Sequence, residues 1–192
     1  MDGSALEGVL AFMKGAENLK NTLRYAFTSA GRRESAAEHS WRLSLLVMVC
    51  AGDFPELHVE KMLKLAVIHD LAEAICGDIP AIYQNNHEKK ASLEREALRE
   101  LCRPLPERTR REILELWEEY EAASTGEAQC VKALDKLETL IQHNQGRNPP
   151  GFDYAFNLTY GADRTNGNPA LAALRKMIDQ ETEHHIEDGG KP

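Results

Sequence analysis

The segment 67-VIHDLAEAICGD-78 sets His69 beside Asp70, directly after the apolar residues Leu65, Ala66, Val67 and Ile68, with Glu73 and Asp78 close behind. Burying such groups costs free energy unless something neutralises them. Either the polar residues face water at a helix edge, or they surround a cation. Leu65, Val67, Ile68, Leu71 and Ile75 leave little room for a solvated face, and Glu73, four residues after His69 and three after Asp70, shares their side of a helix. His39 lies near the start of the preceding helical stretch, and Asp135 sits in the apolar helical segment 133-ALDKLETL-140. Two imidazoles and two carboxylates converging from three helices make a divalent-metal site. The N/O set suits Mn, Fe, Co, Ni or Zn and tolerates Mg. Four protein ligands leave room for one or two waters, and a metal that lowers the pKa of such a water supplies a hydrolytic nucleophile.

The elements that must position these residues are helical. Apolar residues recur at helical spacing over 5–20, where Leu6, Val9, Leu10, Phe12, Met13 and Leu19 predict one buried face. A loop follows over 24–33. The pattern 35-SAAE-38 is a capping box that starts a helix running to about residue 51. A helix over 56–76 closes at Gly77, placed as a C-cap. Further helices are predicted over 86–102, 107–124 and 127–145, and a last one over about 169–185. The Gly-, Pro- and Asn-rich segment 146–168 is irregular; its four aromatic residues predict that it folds back onto the body, as a lid or a dimer arm. No strand pattern stands out. The expectation is an all-α, irregular bundle of six or seven helices, one domain over 1–192 with its core over about 5–145.

Composition narrows the function. With 192 residues, 42% hydrophobic and 28% charged, the chain suits one filled core. A formal net charge of −8 argues against a nucleic-acid polymer or an anionic membrane as partner, while leaving small phosphate ligands open. The longest apolar stretch, 45-LLVMVCA-51, is too short for a membrane span, and Asp2 and Glu7 interrupt any leader-like run. Cys50, Cys76, Cys102 and Cys130 form no CxxC pair and read as free, mostly buried thiols. The expected setting is the cytoplasm.

The order His39, His69-Asp70, Asp135 on a helical chain resembles the HD-domain metal-dependent phosphohydrolases. The segments 34-ESAAEHSWRLSLL-46, 67-VIHDLAEAICGDIPA-81 and 131-VKALDKLETL-140 resemble the 5′-deoxynucleotidase branch of that superfamily over most of residues 5–145. The resemblance implies release of phosphate from deoxynucleoside 5′-monophosphates by a homodimer, with one cobalt, manganese or other divalent ion held by His39, His69, Asp70 and Asp135. It implies that Arg24 orients the substrate phosphate and that Glu73 and Asp78 position water and handle protons. Substrate would also be lined by Asp78, Ile79, Pro80 and Ala81, and by Tyr25, which stands where a bacterial relative carries tryptophan. A guanidinium grips phosphate bidentately, which suits Arg24.

Plainer readings stand beside these. Arg24 fits a surface arginine, Glu73 a further metal ligand, and Asp78 a turn residue after Gly77. Trp41 reads as core, and His87 and His143 as solvated or structural; His184 and His185 carry no role. Lys89 and Lys90 are placed to hold an anion. Only His87 falls between the HD pair and Asp135, which argues against a two-metal site. Rival functions are another nucleotide phosphohydrolase of the superfamily, an iron-dependent oxygenase, and a degenerate interaction or sensing module.

Overall fold

The computed structural model describes residues 2–79 and 87–189. In chain order the elements are α1 (Gly3–Ala16), β1 (Leu23–Phe27), β2 (Arg33–Ser35), α2 (Ala36–Cys50), α3 (Val59–Ile68), α4 (Glu73–Cys76), α5 (His87–Cys102), α6 (Glu107–Ala122), α7 (Gly126–Gln145), α8 (Tyr154–Asn157), α9 (Ala162–Thr165) and α10 (Pro169–Glu187). Seven of these helices, among the described residues, run ten residues or longer, as the all-α expectation required.

Helix α7 is the axis. Thr125 caps it by accepting from the Ala128 amide, and most of its residues are buried against α2, α3, α6 and α10. Two apolar clusters flank it. One joins Leu43 and Val47 of α2 to Met62 and Leu65 of α3, Leu134 and Leu137 of α7, and Leu171 and Ile178 of α10. The other gathers Ala36, Ile68, Leu71 and Ala72 with Leu98 and Leu101 of α5 and Trp117 of α6. The HD segment lies on the seam between them: Leu65 and Ala66 belong to the first cluster, Ile68 and Leu71 to the second.

The expected helix over 56–76 is not continuous. After His69, whose amide still bonds the Leu65 carbonyl four residues back, Leu71, Glu73, Ala74 and Ile75 bond carbonyls three residues back. This is 3₁₀ tightening, in which side chains three apart eclipse. Asp70 and Glu73 are therefore brought over one another. The chain ends this turn at Gly77, whose φ of +76 is open to glycine and costly for other residues.

Several burial expectations are overturned. Val67 and Ile75 are exposed, while His69 and Glu73 go inward. Trp41, expected in the core, is 65% exposed, because α2 turns Ala36, His39, Leu43 and Val47 inward instead. On α1 the predicted face splits: Leu6, Leu10 and Met13 face outward, and Val9 and Phe12 pack against the second cluster. Cys76 is exposed and Cys50 half-buried, leaving Cys102 and Cys130 as the buried thiols. The loop expected over 24–33 is a small antiparallel hairpin pairing Leu23 with Ser35 and Phe27 with Arg33. Its strands are too short to show alternation. The Arg33 guanidinium reaches back to the open end of the hairpin and donates to the Leu23 and Arg24 carbonyls at 2.6 and 2.8 Å.

Candidate active site

Helix α2 begins with the capping box that its sequence predicts. Ser35 Oγ accepts from the Glu38 amide at 3.3 Å, and Glu38 accepts from the Ser35 amide at 2.9 Å. Such a cap is worth about 1 kcal/mol. It fixes the first turn, and with it His39, which is wholly buried. His69 caps the end of α3, and Asp70 opens the tightened turn. Asp135 comes from the middle of α7.

These four side chains meet. His39 Nε2 lies 3.2 Å from His69 Nε2, 3.0 Å from Asp135 Oδ1 and 3.9 Å from Asp70 Oδ2. His69 Nε2 lies 3.0 Å from Asp70 Oδ2 and 4.0 Å from Asp135 Oδ1. The other nitrogen of each ring is committed. His69 Nδ1 bonds the Ala66 carbonyl at 2.9 Å, and His39 Nδ1 bonds Glu138 Oε2. With an Nδ1 proton engaged there, a neutral ring at either position would turn its Nε2 lone pair toward two carboxylate oxygens. Four acceptors facing one another call for a cation, and this N₂O₂ set fits a divalent one. The far oxygen of Asp135 takes Tyr120 OH at 3.0 Å and Lys136 Nζ at 2.8 Å, leaving Oδ1 as its ligand atom.

Without an ion, the surrounding acids draw a proton onto the cluster in its place. Burial opposes charge on His39, as does Arg24, yet Glu138 and Asp135 outweigh both and lift its pKa to about 9. Burial likewise opposes ionisation of Asp70, but His69, His39 and Arg24 hold its carboxyl well below the usual range. A second carboxylate group, Glu34 and Glu138, faces His39 from behind. Arg24 Nε and Arg42 Nε approach these two at 3.7 and 3.3 Å. Burial, then Glu138, raises Glu34 to about 7.

A cavity opens over the cluster. Its lining includes Asp70 and Asp135 at the base, with Arg24, Tyr25, Glu73, Asp78, Ile79, Lys90 and Lys136 around them. Arg24 donates to Asp70 Oδ2 at 3.3 Å and to Thr139 Oγ1 at 3.0 Å. Neighbours on a regular strand point to opposite faces. The register of β1 is irregular between Leu23 and Phe27, and Arg24 and Tyr25 both line the cavity. Glu73 is 4% exposed and its Oε2 has no hydrogen-bond partner. Burial, followed by Asp70 and Asp78, pushes its pKa up to about 10. Burial also raises Asp78. Pro80 and Ala81 lie outside the described residues.

Other lining residues carried no site signal in the sequence. Lys136 follows Asp135 directly and places its ammonium over the Tyr160 ring at 5.2 Å. Phe152, Phe156, Asn157 and Tyr160 come from the irregular segment, which folds back as expected. His143, which a solvated reading would have put in water, is buried at the cavity wall, bonds Asn157 Oδ1 at 2.9 Å and is lowered by that burial to about 4. A Lys after a ligand Asp, and a His two turns along the same α7 face, were the available hints. The side chain of His87 lies outside the described residues, and Lys90 pairs with Glu94 at 3.1 Å on the cavity rim.

A family model described as the HD domain matches residues 16–175. The 5′-deoxynucleotidase HDDC2 of Homo sapiens is 35% identical over 145 residues, covering 74% of this chain and 70% of the relative. The 5′-deoxynucleotidase HDDC2 of Danio rerio is 32% identical, covering 97% of this chain and 94% of the relative. The crystal structure of a predicted metal-dependent phosphohydrolase from Magnetospirillum magnetotacticum MS-1 superposes with a TM-score of 0.82 at 27% identity, covering 94% of both chains. The chain therefore belongs to the HD-domain family and is a metal-dependent phosphohydrolase.

Proposed function

We propose that the chain is a 5′-deoxynucleotidase that releases phosphate from deoxynucleoside 5′-monophosphates, using one divalent ion held by His39, His69, Asp70 and Asp135. One observation carries the reading: four side chains able to hold an ion meet, and two of them, Asp70 and Asp135, form the base of a cavity whose walls supply an arginine, a buried acid and aromatic rings. The names of the relatives supply the substrate class. A divalent ion bound there would supply Lewis-acid activation of water and neutralise phosphoryl charge.

The chain's own groups divide the remaining work. Arg24, anchored on Asp70 and Thr139, presents its guanidinium to the phosphoryl oxygens. The leaving 5′-oxygen departs as an alkoxide unless it is protonated. Glu73, raised to about 10 by burial, Asp70 and Asp78 in the ion-free protein, is the acid that gives a proton to that oxygen. Asp78, beyond the Gly77 break, orients the attacking water. Tyr25, Asp78 and Ile79 line the nucleoside.

Cobalt or manganese is the working ion, in keeping with the mixed imidazole and carboxylate set. No described helix is long and apolar enough to cross a membrane, and the enzyme works in the cytoplasm. It works as a homodimer; the exposed stripe Trp41, Leu45, Met48 and Val49 on α2 supports that reading.

The test is phosphate release from a panel of ribo- and deoxynucleoside monophosphates with Co, Mn, Mg and Zn. Release from deoxynucleotides that stops on chelation and returns with Co or Mn is the expected result. A metal-loaded protein that releases none from any of them would sink the proposal.

A further inference from the structure

Lys136 brings a cation from α7 to the cavity, and the returning segment is shaped around it. A Cβ added at Gly161 would lie 2.6 and 2.7 Å from the Cγ and Cβ of Lys136, at the near end of the side chain, which has little freedom to move aside. Gly161 also sits at φ +67, a conformation glycine adopts without strain. The chain after Tyr160 therefore lies flat against the lysine stem. Arg175 of α10, 3% exposed, fixes it there by donating to the Tyr160 carbonyl at 2.7 Å. The Tyr160 ring then meets the ammonium, with Nζ 5.2 Å from its centroid, within the range of a cation–π contact. Stem and head are both confined, so little of the conformational entropy of a lysine is left to lose when something binds.

The head of the side chain sits beside the ligand cluster. Nζ donates to Asp135 Oδ2 at 2.8 Å, while Asp135 Oδ1 faces His39 Nε2 at 3.0 Å. Burial opposes charge on Lys136, but Asp135 and Tyr160 outweigh it and hold the group above the ordinary lysine range, so it is a cation at every working pH. A lysine ammonium carries three donors and Asp135 engages one, which leaves donors for the cavity. Thr139 lies one helical turn, about 5.4 Å, along the same wall and receives the Arg24 guanidinium at 3.0 Å. Each carboxylate at the cavity base thus carries its own cation, Arg24 on Asp70 and Lys136 on Asp135. A divalent cation neutralising Asp135 would leave the Lys136 charge for an anion. A phosphate monoester dianion has three terminal oxygens and more charge than one guanidinium matches.

We propose that Lys136 is a second phosphoryl-binding cation, gripping with Arg24 the phosphate group of the substrate. The proposal rests on the phosphohydrolase reading above and deepens it at the phosphate end of the substrate. It assigns the glycine at 161 and the ring at 160 a purpose, which is to hold the ammonium where the phosphate arrives. The plainer alternative is that Lys136 serves Asp135 alone, as a counter-charge. The two separate on what its removal does to an anion and to the ion.

The experiment is calorimetric titration of inorganic phosphate into the cobalt-loaded parent, Lys136→Met and Lys136→Arg. Cobalt affinity is measured alongside by competition with a chromophoric chelator. Loss of one charge-assisted hydrogen bond should weaken phosphate binding at least about tenfold in Lys136→Met. Cobalt affinity should hold or rise, because a positive charge has left the neighbourhood of Asp135. Lys136→Arg keeps the charge and donors and should recover phosphate affinity to within about threefold. Unchanged phosphate affinity in Lys136→Met would overturn the proposal, as would a loaded parent that binds no phosphate. A cobalt loss as large as the phosphate loss would reduce Lys136 to a support for Asp135 and overturn it too, as would an arginine variant as weak as the methionine one. Turnover on deoxynucleoside monophosphates keeps the two readings apart. A protein that hydrolyses none of them yet binds phosphate through Lys136 would defeat the nucleotidase reading and leave this cation standing. Deoxynucleotide hydrolysis with the parent's KM in Lys136→Met would do the reverse.

Discussion

Replacing Glu73 by glutamine should make the ion-free protein more stable, and by an amount that depends on pH. The side chain is 4% exposed, and its Oε2 has no partner. Burial first, then Asp70 and Asp78, raises its pKa from 4.5 to about 10. In the unfolded chain the group returns to its ordinary value. A raised carboxyl favours folding only while protonated, so its contribution is fully present below pH 4.5 and is lost as pH rises toward 10. At pH 7 the separation from 4.5 is about 2.5 pH units, and each unit is worth about 1.4 kcal/mol, so folding bears a penalty of about 3 kcal/mol. Glutamine has nearly the same shape and never titrates. Its amide leaves an unpaired polar end where the protonated acid leaves one too, so that cost cancels.

The assay is thermal unfolding of the two proteins in chelator between pH 5 and 9. At pH 7 the variant should melt roughly 6–12 °C higher, at about 2–4 °C per kcal/mol for a chain of this size. The advantage should shrink to nothing near pH 4.5 and grow by about 1.4 kcal/mol per pH unit above it. With a divalent ion bound, positive charge beside Glu73 lowers its pKa and the advantage should narrow. Turnover should meanwhile fall by at least about 10² without loss of the ion. An advantage that is absent at pH 7, or present but constant with pH, would show that Glu73 is not held protonated, and the general-acid role would fall with it.

Glu138→Gln removes the carboxylate behind His39 Nδ1 and should weaken metal affinity about 10–100-fold, measured by competition with a chromophoric chelator, while leaving all four ligands in place. Arg24→Lys should not rescue the loss seen in Arg24→Ala, because one ammonium cannot reach Asp70, Thr139 and a phosphoryl oxygen as the fork does; KM for deoxynucleotide, rising at least about tenfold in both, is the readout. Arg175→Met should cost about 3 kcal/mol in urea unfolding by stranding the carbonyls of Asn157, Leu158 and Tyr160 and the Asp179 carboxylate, and should raise KM with little change in metal affinity.

The meeting of His39, His69, Asp70 and Asp135 was legible in the sequence because it is carried by local signals. A capping box dates the start of α2 to within a residue and so places His39, and an apolar helix forces any acid within it to find a partner, which locates Asp135. What escaped was set by tertiary packing. The turn after His69 tightens into 3₁₀ geometry over residues whose sequence reads as continuous helix, and this brings Glu73 over Asp70 more closely than α spacing would. The hairpin that carries Arg24 and Tyr25 is too short for alternation to register, and it is held by Arg33 reaching back to two carbonyls. Trp41 and Val67 look like core in any window. They face outward because the inward positions on α2 and α3 are already taken by His39, Leu43, Leu65 and Ala66. Phe152 has no motif, and only the folding back of residues 146–168 brings it to the cavity that Lys136 and His143 of α7 also line.

The charge of the cavity explains why ion and substrate must act together. Asp70, Glu73, Asp78 and Asp135 line it against Arg24, Lys90 and Lys136. All three cations are already engaged, Arg24 with Asp70, Lys136 with Asp135 and Lys90 with Glu94. A phosphate dianion approaching this surface in a chain of net charge −8 meets more negative than available positive charge. Keeping Glu73 protonated removes one carboxylate from that balance, and a divalent ion on Asp70 and Asp135 reverses it. An ion held by Asp70 would also compete with Arg24 for that carboxylate and would leave guanidinium donors for the phosphoryl group. Binding of ion and phosphate is therefore positively coupled, and by linkage each tightens the other by the same factor. The excess of acid that argues against nucleic-acid polymers at the scale of the whole chain would thus, at the scale of the cavity, make a small phosphate ester bind best with a divalent ion in place.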